Sequence, residues 1–217
     1  MDNKNHKNLT IKSNHSFEQL PHFFKKAETE NAIISVSTSA SGEENLTWHN
    51  GTWLTGYWYC GRWENGIWEN GIWSVGTWCN GNWINGSWYD GEWETGTWAD
   101  GVWYDGTWRT GTWKNGTWRN GTWENGTWKN GKWKQGVWHN GSWYKGFWEK
   151  GMWENGTWLD GSWLDGYWTK GTWVNGYFNG YWQNGIWIDG FYKDKKCLGF
   201  DKDVMPIFHI GGDDEHM

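Results

Sequence analysis

The chain has 217 residues, 28 of them tryptophan and 33 glycine, with three cysteines and a formal net charge of -6. That charge is a mild, solubilising one. The odd cysteine count without framework spacing argues against a disulfide scaffold. No apolar run approaches the roughly 20 residues of a membrane-spanning helix.

Residues 1 to 15 are rich in Asn, Lys and His and predict a flexible lead-in. Met1 to Lys12 lacks the apolar core of a secretory signal, which favours a cytoplasmic or virion-associated location. A short helix is expected over Phe17 to Lys26, interrupted near Pro21, with Phe17, Leu20, Phe23 and Phe24 forming a lid. Ala32 to Val36 reads as a strand and Ser37 to Asn45 as a polar link. Residues 1–47 are thus a flexible segment and cap, needed because a repeat stack otherwise exposes its first layer.

Residues 48–192 repeat Gly-x-Trp-x-(Asn/Asp). Glycine recurs at every fifth residue from Gly51 to Gly176, and tryptophan from Trp48 to Trp173. A period of five fits neither a helix nor a strand, so the chain must turn once per unit. The second position favours Thr, as in Thr107, Thr112, Thr117, Thr122 and Thr127, and the fourth accepts almost anything. The strict first and third positions are expected inside, the loose ones in solvent. The preferred fold is all-β: a solenoid in which about four units make a coil of about 20 residues, with tryptophan and glycine both pointing inward. About seven coils at about 4.8 Å would span about 35 Å. The alternative is an antiparallel meander of short tryptophan-bearing strands joined by Asn-Gly turns. Such turns need positive φ at the fifth position, which does not suit Thr55, Val75 or Thr110.

The pairs Gly121/Trp123 and Gly126/Trp128 resemble the pentapeptide-repeat family of right-handed quadrilateral β-helices. There a bulky central residue points inward and the residue two before it is small, usually alanine. Here glycine stands for alanine, and tryptophan for the usual leucine or phenylalanine. Some members of that family mimic DNA and bind topoisomerases. A weaker resemblance is to MORN repeats, whose hairpins carry a piece like Gly121-Thr122-Trp123-Glu124-Asn125-Gly126.

Near Tyr177 the phase slips by one residue and the units become more apolar. Residues 193–217 read as a C-terminal cap and acidic tail, with an edge strand over Val204 to Ile210 that Pro206 limits.

No catalytic constellation is present, no phosphate loop, and no cofactor is implied. His209, Asp213, Asp214 and His216 are a weak metal set on a loose tail. Cys60 and Cys79, nineteen residues apart, would be neighbours on adjacent 20-residue coils. Outward aromatics, Tyr57, Tyr59, Tyr89, Tyr104, Tyr144, Phe147 and Tyr167, are a candidate surface for a protein or glycan partner. Arg109, Lys114, Arg119, Lys129, Lys132 and Lys134 form a basic run after a mainly acidic one, a candidate polyanion contact or end-to-end association surface between copies. Nucleic acid itself is disfavoured, since the interleaved tryptophans should face inward. The expectation is a non-catalytic rigid repeat protein, a spacer or protein-binding module of a phage, virus or bacterial surface. The alternatives are a carbohydrate-binding or adhesive protein and a charge-presenting inhibitor of a nucleic-acid enzyme.

Overall fold

A computed structural model describes residues 4–40, 42, 44–200 and 205–208. It is a parallel β-solenoid of about 10 turns. Each coil takes 15 residues, three units, so the coil is a triangle and not the expected four-sided figure: Thr112-Trp113 lies on Thr97-Trp98, and Thr127-Trp128 on Thr112-Trp113. Face one stacks Trp48, Trp63 and Trp78. Face two stacks Trp53, Trp68 and Trp83, and face three Trp58, Trp73 and Trp88. The antiparallel meander is excluded within the coils, since every such pair is parallel.

The glycines make the corners. From Gly51 to Gly176 their φ lies between +110° and +137°, a region essentially restricted to glycine. One such corner falls at every fifth residue, and three of them close a coil. The glycines are also fixed by contact. A Cβ on Gly121 would lie 2.4 Å from the Gly106 carbonyl oxygen in the coil below. The indole comes second: at Gly126 the nearest ring atom is Trp123 Cζ2 at 3.3 Å, against 2.5 Å for the Gly111 oxygen.

Each unit donates to the coil beneath it. The second-position N–H bonds a glycine carbonyl and the fourth-position N–H a tryptophan carbonyl, as in Thr122 N to Gly106 O (2.9 Å) and Glu124 N to Trp108 O (2.8 Å). At the corners, fifth-position carboxylates accept the following glycine N–H, as Asp160 does from Gly161 (2.8 Å) and Asp165 from Gly166 (2.7 Å). This is the local bonding that makes Asp and Asn good turn residues. Amides also link corners along the rod, Asn115 Nδ2 donating to Asp100 (3.2 Å) and Asn130 Nδ2 to Asn115 (3.1 Å).

All 28 tryptophans are buried, none more than 9 % exposed. They form three columns. Trp103 and Trp118 stack at 4.8 Å and 5°, while Trp113 meets Trp118 edge to face at 6.0 Å and 72°. Both geometries suit the aromatic quadrupole. The indole N–H groups of Trp48 through Trp163, and of Trp173, have no hydrogen-bond acceptor. Edge-to-face packing is the arrangement in which a ring N–H can meet a π face, a weaker bond than N–H···O. Burial of ring area and dispersion therefore hold the core.

The N-terminal cap is more ordered than its composition predicts. Strands β1 (His6–Lys7) and β2 (Thr10–Ile11) run parallel to β3 (Glu28–Thr38), so part of the expected flexible lead-in is paired. Strand β3 lies antiparallel to β4 (Glu44–Thr55), which makes the first two sides of coil one. Helix α1 (His22–Lys26) follows Pro21 as expected. Phe24 packs on Trp48 and Trp53, and Phe23 on Trp58, closing the first layer of indoles. His6 stacks on Phe24 and bonds the Thr29 hydroxyl (2.9 Å).

At the other end the slip shortens the last coil, so Tyr181 sits over Tyr167 and Ile186 over Thr172. Phe191–Tyr192 then pairs antiparallel with Lys195–Phe200, and that strand with Pro206–Phe208. Phe200 stacks on Trp182 (4.9 Å, 7°), and the Trp187 N–H donates to the Cys197 carbonyl (3.0 Å). Val204, Ile210 and the set His209, Asp213, Asp214 and His216 lie outside the described residues, as does the acidic tail.

Candidate functional surfaces

With tryptophan inside, the second and fourth positions face out, and a 15-residue coil arranges them in columns. The aromatic candidates fall on all three faces. Tyr57, Tyr59, Tyr89, Tyr104 and Phe147 are on face three, Tyr144 is on face two, and Tyr167 is on face one. Tyr57 and Tyr59 stack (6.4 Å) beside His22, Phe23 and Lys26 of the cap, around a hollow of about 410 Å³. Tyr89 and Tyr104 stack at 4.5 Å and 2°, and the Arg119 guanidinium lies 4.6 Å over Tyr104. That column spends its rings on one another and on a cation.

The six basic candidates do not form one patch. Arg109 is on face one and pairs with Glu92 and with Glu124 (3.4 Å). Lys114 and Lys129 are on face two, Lys129 lying over Tyr144 (5.2 Å). Arg119, Lys132 and Lys134 are on face three, where Lys132 pairs with Glu149 (2.6 Å). A run of 26 residues winds nearly twice round the triangle, so contiguity in sequence becomes dispersion in space. The expected single polyanion face is therefore not assembled.

Along face one the fourth positions alternate in charge. His49 bonds Glu64 (2.7 Å) and His139 bonds Glu154 (2.6 Å). Cys79 stands in this column between Glu64 and Glu94. Burial, then the Glu94 carboxylate, push its thiol up to about 11. Cys60 occupies a fifth position and Cys79 a fourth, and the three cysteines form no disulfide. Because the thiolate is the nucleophile, Cys79 should alkylate very slowly at pH 7.5, with a rate that climbs tenfold per pH unit toward about 11. Iodoacetamide labelling followed by mass spectrometry checks this, and Glu94→Gln should speed the reaction at neutral pH.

One concave feature was not assembled from the sequence. A groove of about 820 Å³ runs along the corner between faces three and one. Its floor is the corner glycines Gly121, Gly136, Gly151 and Gly166. One wall is the second-position column Thr122, Val137, Met152, Tyr167 and Tyr181. The other is the fifth-position column Asp105, Asn120, Gln135, Lys150 and Asp165. The signal was the increasing size of second-position residues every 15 residues, invisible at a spacing of 20. Only Tyr167 of the expected aromatic set lines it.

Among the described residues, no cluster of three or more His, Cys, Asp or Glu is placed to hold a metal, and no helix is long and apolar enough to cross a membrane. Comparison with protein families, curated proteins and solved structures returns no match for this chain.

Proposed function

We propose that this chain is a rigid, non-catalytic scaffold, a spacer or binding module that holds columns of side chains at strand spacing for a partner. One observation supports the reading above others: every indole is consumed by the core, so the second and fourth positions are left to face a partner. Backbone ladders and paired corners give the rod stiffness along its whole length. Kinship with the pentapeptide-repeat family rests on the five-residue unit and its inward bulky third residue, while the three-sided coil sets this chain apart from the quadrilateral form.

Small-angle scattering combined with sedimentation tests the reading. Ten coils at about 4.8 Å give a repeat portion about 48 Å long, longer than the four-unit coil would allow. A stiff monomeric particle with that axis is the expected result. A flexible particle, or an obligate dimer whose contact buries the outward columns, would overturn it.

A further inference from the structure

We infer that the groove between faces three and one is a binding site for a neutral, linear polysaccharide, with about one pyranose ring per coil. This rests on the scaffold reading and names its partner class. The two walls differ in chemistry. Met152, Tyr167 and Tyr181 offer exposed apolar surface, at 42 %, 60 % and 60 % exposure, and the two tyrosine rings lie 5.6 Å apart at 58°. Opposite them, Gln135 and Lys150 are exposed polar groups, and Asp165 spends one carboxylate oxygen on Gly166 (2.7 Å). A pyranose has the matching pair of surfaces, an apolar face of C–H groups for an aromatic ring and a rim of hydroxyls for amide, ammonium and carboxylate.

Periodicity and charge select among polymers. The walls repeat at the coil spacing of about 4.8 Å, whereas an extended peptide presents same-side residues every roughly 6.8 Å and drifts out of step within two coils. The coil strands flanking the groove are bonded to neighbours above and below, so no free edge is offered for strand addition. The charges lining the groove, Asp105 and Asp165 against Lys150, leave it slightly negative, which opposes a polyanion. A neutral sugar chain meets neither obstacle.

Calorimetric titration of the full-length protein with β-1,4-linked gluco- and N-acetylglucosamine oligosaccharides of two to six rings tests the inference. Affinity should rise with each ring up to about four, the number of successive corners that carry both walls of the groove, and then level off. Tyr167→Ala and Tyr181→Ala should each weaken the longest oligomer about three- to tenfold, and Tyr89→Ala, outside the groove, should leave it unchanged. All three positions face solvent, and unchanged near-ultraviolet circular dichroism would certify the fold of each variant. Absence of binding for every oligomer, affinity independent of length, or an effect at Tyr89 equal to that at Tyr167 would overturn the inference. So would self-association that Tyr167→Ala abolishes, which would assign the groove to a second copy. Scattering tests the rod and titration tests the groove, so one can fail without the other.

Discussion

Gly121→Ala is expected to destabilise the rod by about 4 kcal/mol, the sum of backbone strain and a clash that cannot relax. The residue sits at φ +116°, where a side chain is disfavoured. Its added Cβ would press to 2.4 Å on the Gly106 carbonyl oxygen and 3.1 Å on the Gly106 nitrogen. Both are backbone atoms already engaged, Gly106 O accepting from Thr122 N and Gly106 N donating to the Asp105 carboxylate (2.8 Å), so neither can swing aside as the end of a flexible chain would. Gly199→Ala is the control. Its φ of +146° is also unusual, but nothing lies within 4 Å of the added carbon. It should cost only the conformational share, about 1 kcal/mol. Guanidinium unfolding followed by tryptophan fluorescence measures both. Equal shifts in midpoint would mean that φ alone, and not contact between coils, fixes the glycines.

Trp118→Ala in mid-rod should cost about 3–5 kcal/mol, at the upper end for a core truncation. Its ring is stacked at 4.8 Å on both Trp103 and Trp133 and meets Trp113 and Trp123 edge to face at 6.0 Å. Four aromatic contacts go at once and the neighbours cannot collapse, because each is held by its own column. Trp118→Phe should cost less, and the chain contains its own precedent. Phe178 fills the same position on face three and is fully buried, but it lies tilted by 31° at 5.3 Å from Trp163. The exchange also removes an N–H that has no acceptor, so no hydrogen bond is lost with it. Trp187→Ala should cost less than Trp118→Ala, since that ring has one stacking partner, Trp173, and beneath the cap keeps only an edge contact with Phe200 (5.4 Å) and the N–H bond to Cys197. Urea unfolding by far-ultraviolet circular dichroism ranks the three. A mid-rod cost no larger than the terminal one would show that stacking between coils contributes little.

The unit was legible in the sequence and the coil was not. Strict glycine and tryptophan positions pointed to the interior because only buried or conformationally special sites resist variation. The helix after Pro21, the strand around Ala32 to Val36 and the slip at Tyr177 carried ordinary local signals. The number of sides depends on the angle at each corner, a quantity no side chain spells out. Taking the coil as square, as in the quadrilateral family it resembles, gave four sides. From that single number followed the misplaced proximity of Cys60 and Cys79 and the short rod, while the supposed basic face from Arg109 to Lys134 came from reading a run along the chain as a patch in space. The groove went unseen for the same reason. Val137, Met152 and Tyr167 share a column only when the chain is wrapped at 15.

The interior and the exterior of this molecule are written in different lengths. The core reads every fifth residue and is satisfied by any whole unit. The surface reads every fifteenth, because a column exists only among residues one coil apart. Slippage or unequal recombination in so self-similar a run would preserve the core whenever it added or removed a multiple of five. Only multiples of three units would keep the outside intact. A single inserted unit would rotate everything beyond it by a third of a turn, delivering the aromatic columns of one face onto the next while leaving every indole stacked. The fold thus permits new surfaces to be drawn from old sequence at little cost in stability, and the position of a binding site on the rod becomes a matter of counting units.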